Sequence, residues 1–183
     1  MTGPYFTIGH STRPVETLVS LLREAGADGV VDVRSVPRSR TNPQFNADTL
    51  PGRLAQDGIG YRHIAKLGGL RGHRKDAGPS PNGFWENASF RNYADYAMTA
   101  GFREGLAELR SLGHEHRWAL MCAEAVWWRC HRRIITDYLI VAGETVMHIL
   151  GPGHIEAATM TRGATLMADG TLIYPPPDGD HAA

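Results

Sequence analysis

Short apolar segments alternate with segments of helical periodicity over the first 150 residues, and this alternation restricts the fold more than any other feature. The apolar segments predict strands at 5–8, 29–33, 59–63, 118–121 and 146–150. The periodic segments predict helices near 15–25, 48–56, 90–98, 102–112 and 130–142. Unbroken apolar character, as in 29–33, is typical of strands buried in a parallel sheet. We therefore predict an α/β fold with a mostly parallel central sheet of about five strands and helices on both faces.

The length and composition of the chain indicate one ordinary globular domain. With 183 residues, 42% of them apolar and 21% charged, the chain is long enough to bury a core and is not typical of disorder. We expect a single domain over 1–183, with its core at about 5–150, since no repeat or linker interrupts the pattern. In the C-terminal extension, 151–183, Asp169-Gly170 predicts a hairpin turn, and the last residues are expected to be frayed.

The two cysteines exclude a disulfide scaffold and cannot fill a four-thiolate zinc site. The N-terminal sequence lacks the basic start and long apolar run of a signal peptide. No segment reaches the ~18–20 apolar residues that span a bilayer. We therefore expect a cytoplasmic protein without a membrane partner.

The basic residues are unevenly distributed, although 19 Lys and Arg balance 19 Asp and Glu. Between positions 34 and 75, only Asp48 and Asp57 oppose nine basic residues, namely Arg34, Arg38, Arg40, Arg53, Arg62, Lys66, Arg71, Arg74 and Lys75. This basic loop suits an anionic small molecule (a phosphate, a sulfur oxyanion or a nucleotide), since Arg binds such groups bidentately. With neighbouring aromatic side chains it also suits nucleic acid. A purely structural alternative is that these arginines pair with the acidic remainder of the chain.

Titratable residues are predicted at the carboxyl ends of all five strands. Ligands bind beyond these ends in open α/β sheets, so the sequence predicts a site there. Its candidate residues are His10, Asp32 with Arg34, His63, Cys122 and His148.

The segment from Cys122 to Arg133 contains the densest set of reactive side chains. Cys122 ends a strand, and a helix is predicted within about eight residues, so the helix N-terminus and nearby guanidinium groups favour its thiolate. We interpret Cys122 as a nucleophile or a ligand, with Glu124, His10 or His63 transferring protons and Asp32 orienting a neighbouring side chain. The predicted anion-binding residues are Arg34, Arg38, Arg40, Arg129 and Arg132. The alternative is that both cysteines are simply buried apolar residues.

A metal site is a competing interpretation of the same segment. Cys122, Cys130 and His131 could bind a transition metal, with a histidine from another strand end completing the shell. The seven residues between the cysteines do not match the spacing of zinc knuckles or fingers, and no cofactor is required by the sequence.

The order of Asp32-Val33-Arg34, the Cys122 loop and the following helix and strand is similar to that of rhodanese-like domains. This similarity implies a distantly rhodanese-like or Rossmann-like strand order. Phosphotyrosine phosphatases place five residues between their Cys and Arg, whereas six separate Cys122 from Arg129 here.

A set of short motifs covers residues 7 to about 150. They are Thr7-Ile8-Gly9-His10-Ser11, Asp32-Val33-Arg34-Ser35, Pro37-Arg38-Ser39-Arg40, Asn42-Pro43-Gln44-Phe45, Leu67-Gly68-Gly69, Met121-Cys122-Ala123-Glu124 and Cys130-His131-Arg132. In content and order they resemble the bacterial and archaeal domain-of-unknown-function family numbered 488. The resemblance implies a cytosolic, single-domain α/β protein without specifying an activity.

Three functional hypotheses result. The first is an enzyme-like site for an anionic ligand centred on Cys122. The second is a nucleic-acid-binding or nucleic-acid-processing module that uses the basic loop. The third is a metal-binding sensor based on Cys122, Cys130 and His131.

Overall fold

A computed structural model describes residues 3–113 and 115–178 of the chain. Its helices are α1 (Val15–Ala25), α2 (Leu50–Ala55), α3 (Ala88–Ala97), α4 (Ala100–Leu112) and α5 (Arg132–Val141). Its strands are β1 (Tyr5–Gly9), β2 (Gly29–Asp32), β3 (Gly60–His63), β4 (Trp118–Cys122), β5 (Val146–Gly151), β6 (His154–Ala157), β7 (Thr165–Leu166) and β8 (Leu172–Ile173). None of the helices in these described ranges is long and apolar enough to cross a membrane.

The central sheet has the strand order β3-β2-β4-β1-β5-β6. Its first five strands are parallel, and β6 pairs antiparallel with β5. The predicted α/β fold with a mostly parallel sheet is therefore confirmed, and the sixth strand comes from the C-terminal extension. Compared with the order 3-2-1-4-5-6 of dinucleotide-binding sheets, β1 and β4 have exchanged places.

Helices cover both faces of the sheet because residues within one strand alternate between the two faces. In β4, Met121 packs with α1 and α2, whereas Leu120 packs with α3, α4 and α5. Helix α1 presents an apolar face of Leu18, Val19 and Leu22 to the sheet, and Gly26 ends it in the left-handed conformation at φ 80°.

The chain leaves neighbouring strands toward opposite faces, which opens a crevice at their carboxyl ends. Strands β1 and β2 lead into α1 and α2 on one face. Strand β4 lies between them and leads into α5 on the other face. Such a divergence of connections is where open α/β sheets bind ligands.

The C-terminal extension packs against the core. The predicted hairpin is formed by β7 and β8, and Gly170 in its turn adopts φ 87°. Tyr174 is fully buried, and its hydroxyl donates a hydrogen bond of 2.8 Å to Asp137 in α5. Of the residues expected to be frayed, from Pro175 onward, 175–178 belong to no helix or strand, and 179–183 lie outside the described part of the chain.

Candidate active site

A cavity of about 550 Å³ occupies the crevice at the carboxyl ends of β1, β2 and β4. Its walls include eight of the residues singled out in the sequence, namely His10, Arg34, Arg38, Cys122, Glu124, Arg129, Cys130 and His131. The topology therefore brings residues from four distant segments of the chain to one concave surface.

Asp32 and Arg34 form a buried ion pair beneath the cavity. Arg34 donates from Nε to Asp32 Oδ1 at 2.8 Å and from Nη2 to Oδ2 at 2.7 Å. The carboxylate also accepts from the Arg34 backbone N–H and from the Tyr61 hydroxyl. Asp32 is fully buried and Arg34 is 8% exposed, so the pair fixes the guanidinium rigidly at the cavity wall.

His10 lies against this guanidinium in its neutral form. Arg34 Nη1 lies 3.2 Å from His10 Nε2, and because guanidinium only donates, Nε2 accepts. His10 Nδ1 therefore carries the hydrogen and donates to Ser11 O at 2.8 Å. Burial lowers the pKa of His10, in agreement with this assignment. Ser11 itself adopts φ 50°, a strained conformation for a residue other than glycine, directly at the end of β1.

Several predicted site residues lie outside the cavity. Asp32 supports it from below, and His63 Nε2 donates to Arg34 O at 2.7 Å behind the wall. Arg40 is exposed and does not line the cavity. His148 was expected to end a strand, but it lies within β5, where it bonds Thr7 and stacks on Trp127. Burial lowers the pKa of His148 to about 4, with the charge of Arg132 acting in the same direction, so this imidazole is neutral.

Close backbone approach at two glycines shapes the cavity. A Cβ atom on Gly9 would lie 1.9 Å from the backbone oxygen of Glu124, so only glycine lets the loop after β4 pack over the end of β1. A Cβ atom on Gly69 would lie 2.5 Å from Nδ1 of His131. These close approaches explain why glycine stands at position 9 in the motif Thr7-Ile8-Gly9-His10-Ser11 and at position 69 in the motif Leu67-Gly68-Gly69.

The two cysteines share one end of the cavity. Cys122 Sγ donates to Glu124 O at 3.7 Å. Cys130 precedes α5, and its sulfur accepts from the backbone N–H of Arg132 at 3.5 Å and lies 3.4 Å from His131 Nδ1. Both are buried free thiols.

The surroundings of the two sulfurs act on the pKa values of the two thiols in opposite directions. Burial raises the pKa of the Cys122 thiol well above its usual value, and the nearby Cys130 sulfur adds to that shift. Burial acts on Cys130 too, but its neighbours Cys122, His131 and Arg132 outweigh it and hold the pKa of Cys130 well below its usual value. Cys130 Sγ thus lies at the N-terminus of α5 beside Arg132, whereas Cys122, the thiol predicted to be activated, ends β4.

Arg132 is a buried cation with no carboxylate partner among the described residues. It is 1% exposed, and it donates from Nη1 to Thr7 Oγ1 at 3.3 Å and from Nη2 to Glu124 O at 2.8 Å. Its Nε has no hydrogen-bond partner in the described part of the protein. Burial opposes its charge, but the nearby sulfurs of Cys122 and Cys130 favour it and raise its pKa overall. Arg132, expected to bind an external anion, instead lies behind the cavity against the cysteines.

The donor arrangement does not support the metal interpretation. Among residues 3–113 and 115–178, no three His, Cys, Asp or Glu side chains are grouped to hold a metal ion. His131 donates from Nε2 to Val33 O at 2.6 Å, and the other candidate histidines bond protein groups. The Cys-His pair therefore lacks a third ligand.

Two kinds of wall residue were not predicted from the sequence. Ser35, Ser39 and Asn42 occur in the family-like motifs, which assign them no role in a site, and Ser89 lies in the first turn of α3; all four supply small polar groups. Phe90 and Tyr93 matched the apolar face of a helix, which gives no indication that the same face also closes a cavity.

Most of the basic loop is not neutralised by acidic residues. Within the described ranges, its ion pairs are formed by Arg34 with Asp32, Arg53 with Asp57 and Lys66 with Glu104. Exposed basic residues of the loop without an ion pair in those ranges are Arg38, Arg40, Arg62, Arg74 and Lys75. Pairing with the acidic remainder of the chain therefore does not explain the charge cluster.

Comparison with known proteins agrees with the motifs described above. No curated protein and no solved structure gives a significant match to the chain. The model of the family described as "Domain of unknown function DUF488" matches residues 14–139, which include β2, β4, both cysteines and most of the cavity wall. The chain therefore belongs to the DUF488 family.

Proposed function

We propose that the cavity is the active site of an enzyme that binds a small anionic ligand and attacks it with the Cys130 thiolate. The observation that carries this proposal is the burial of Arg132 beside two cysteines without a carboxylate partner among the described residues.

A buried cation requires a compensating anion. Burying an unpaired charge costs several kcal/mol, and buried charges in proteins are accordingly paired or neutralised. Arginine cannot be neutralised by deprotonation, because its intrinsic pKa exceeds ~12. A cysteine thiolate is the remaining acidic group near Arg132, and Cys130 has the neighbours that favour its ionisation. Arg132 therefore acts as the counter-ion of a nucleophilic thiolate.

The mouth of the cavity supplies the anion-binding groups. Arg38 and Arg129 both line the cavity, are exposed, and form no ion pair in the described ranges. Four of the five guanidinium N–H groups of Arg34 donate to Asp32, the Phe45 carbonyl and His10, so Arg34 supplies a fixed positive potential and one remaining Nη1–H, not a free binding fork. A phosphate, carboxylate or sulfur oxyanion between Arg38 and Arg129 would reach the thiol end of the cavity.

Proton transfer is assigned to the groups nearest the sulfurs. His131 Nδ1 faces Cys130, and Glu124 is an exposed carboxylate on the cavity wall. His10 has its Nε2 lone pair directed at Arg34, so it serves to position that guanidinium. The adjacent free thiols suit a reducing compartment, and we infer a cytoplasmic location.

Alkylation kinetics test the proposal. The rate of iodoacetamide modification at Cys130 in a Cys122→Ser variant is expected to follow a pKa below the ~8.5 of a free thiol. Phosphate or sulfate should slow the reaction, and Arg129→Ala should reduce this protection, whereas Arg62→Ala, an exposed change outside the cavity, should not. A Cys130 that is alkylated only above the free-thiol pKa would refute the proposal.

Nucleic acid is a second candidate partner, favoured by the exposed and unpaired cations of the basic loop. Arg38 lines the cavity, Arg40 is exposed two residues further along the chain, and the apolar side chains of Val36 and Leu70 are also exposed. A gel shift with single-stranded DNA should weaken steeply with salt and weaken further in Arg38→Ala/Arg40→Ala. Arg23→Ala, outside the basic loop, is the control and should leave the gel shift unchanged. If Arg38→Ala/Arg40→Ala also leaves the gel shift unchanged, these arginines do not bind nucleic acid.

A further inference from the structure

We propose that Cys122 and Cys130 form a redox-active dithiol that reduces a small anionic disulfide bound in the cavity. This inference rests on the proposed thiolate site and adds to it the electron-transfer step and the substrate class.

The sulfurs of Cys122 and Cys130 are linked by hydrogen bonds that pass through Glu124 and Arg132. Glu124 O accepts from Cys122 Sγ at 3.7 Å and from Arg132 Nη2 at 2.8 Å. The backbone N–H of Arg132 donates to Cys130 Sγ at 3.5 Å. Both cysteines line the same cavity and belong to the same buried cluster. A second thiol beside a thiolate nucleophile is the arrangement that resolves a mixed disulfide.

The reaction balances in two steps. The Cys130 thiolate attacks one sulfur of the substrate R–S–S–R′, forming a Cys130–S–S–R mixed disulfide and releasing R′–S⁻. Cys122 then attacks Cys130 Sγ, which forms the Cys122–Cys130 bond and breaks the bond to R. The Cys122 proton passes to the departing R–S⁻. The dithiol loses two electrons, and the substrate disulfide gains them and leaves as the thiol R–SH and the thiolate R′–S⁻, which takes a proton from solvent.

The two cysteines differ in the way that this sequence of steps requires. Cys130 Sγ accepts the backbone N–H of Arg132 and faces His131 Nδ1, and these neighbours hold the pKa of Cys130 well below its usual value, so Cys130 makes the first attack. Cys122 stays protonated beside it, so that it does not compete for the substrate. Burial still raises the pKa of Cys122 once Cys130 is in a mixed disulfide, but the Cys130 negative charge that adds to this shift is gone, and the Arg132 charge is available to the second thiolate.

The cavity defines the substrate class. Its volume of about 550 Å³ accommodates a molecule of metabolite size and excludes a folded protein chain from the sulfurs. Arg38 and Arg129 at the mouth favour carboxylate or phosphate groups on that molecule. Phe90 and Tyr93 add an apolar wall. A low-molecular-weight disulfide carrying carboxylates meets these conditions.

Mass spectrometry after reaction with oxidised glutathione, a carboxylate-bearing disulfide, tests the inference. Wild type should lose two hydrogen atoms and form an intramolecular disulfide, with reduced glutathione released. Cys122→Ser should accumulate a stable mixed disulfide on Cys130, and Cys130→Ser should react slowly. Cystamine, a disulfide carrying amines, should react about tenfold or more slowly than oxidised glutathione, and Arg129→Ala should narrow this difference.

Each outcome separates this inference from the proposed function. If wild type stops at the mixed disulfide while Cys130 still alkylates with a low pKa, the dithiol inference is wrong and the thiolate site stands. If Cys130→Ser reacts as fast as Cys122→Ser, both are wrong. If cystamine and oxidised glutathione react with the wild-type protein at equal rates, the assignment of an anionic substrate is wrong. Circular dichroism and thermal unfolding of each variant establish that loss of reaction reflects the missing thiol and not a misfolded protein.

Discussion

Replacing Arg132 by methionine tests the central electrostatic argument. Arg132 is 1% exposed, and its guanidinium makes two hydrogen bonds, to Thr7 Oγ1 and Glu124 O. If the Cys130 thiolate is its counter-ion, removing the cation leaves a buried anion, and breaking such a pair costs about 3–5 kcal/mol. If both cysteines were neutral, Arg132 would be an unpaired buried charge, and Arg132→Met would increase the free energy of unfolding. Arg132→Met should therefore lower the free energy of unfolding in the first case and raise it in the second.

Urea unfolding at about pH 8 gives the measurement, in a cycle with Cys130→Ser and the double variant. We expect the double variant to be about as unstable as either single one, so the coupling energy should be about 3–5 kcal/mol, the size of one single-variant loss. Arg133→Met is the matched control in the same helix, since Arg133 donates to Thr161 and stacks over Trp85. A stabilised Arg132→Met variant, or a coupling energy near zero, would refute the reasoning.

The pH dependence supplies an independent check of the same pair. The folded-state pKa of Cys130 is depressed, so the unfolded state binds more protons between that pKa and the ~8.5 of a free thiol. The free energy of unfolding should therefore rise with pH across this window, and lose that contribution as the pH falls through the folded-state pKa. Above ~8.5 the raised pKa of Cys122 should reverse the slope. In the Cys130→Ser variant, the free energy of unfolding should not rise with pH across this window.

Two further variants test the framework of the cavity. Asp32→Asn removes the counter-ion of buried Arg34 and should lower the free energy of unfolding by about 3–5 kcal/mol in urea, and a loss below ~1 kcal/mol would show that Arg34 finds other partners. Gly9→Ala places a Cβ atom 1.9 Å from the Glu124 carbonyl oxygen and should cost about 1–3 kcal/mol and slow Cys130 alkylation. Gly52→Ala, in helix α2 with open space around it, should instead stabilise by about 0.5–1 kcal/mol, and equal effects of the two changes would contradict the proposed close approach.

The fold class followed from the sequence because it depends on local periodicity. Strands such as 29–33 are buried on both faces and therefore apolar throughout, while helices such as α1 keep an apolar stripe and end at a glycine. The position of polar residues at strand ends was equally local, which is why His10, Arg34 and Cys122 were recognised as a candidate site. Strand β6 was not predicted, since its four residues are exposed or half-buried and have no apolar pattern.

The sequence by itself determined the α/β architecture, the edge of the sheet at which the candidate site lies, and eight of the residues that line the cavity. Only the tertiary structure decides the surroundings of each sulfur, because the charges and dipoles that set a pKa come together in space. Burial raises the pKa of Cys122, whereas His131 Nδ1, Arg132 and the start of α5 lie together around Cys130 and act to lower its pKa. The strand order decided which residues meet at the site. Because β4 lies between β1 and β2, His10, Arg34 and Cys122 line one cavity, and periodicity along the chain carries no information about that order.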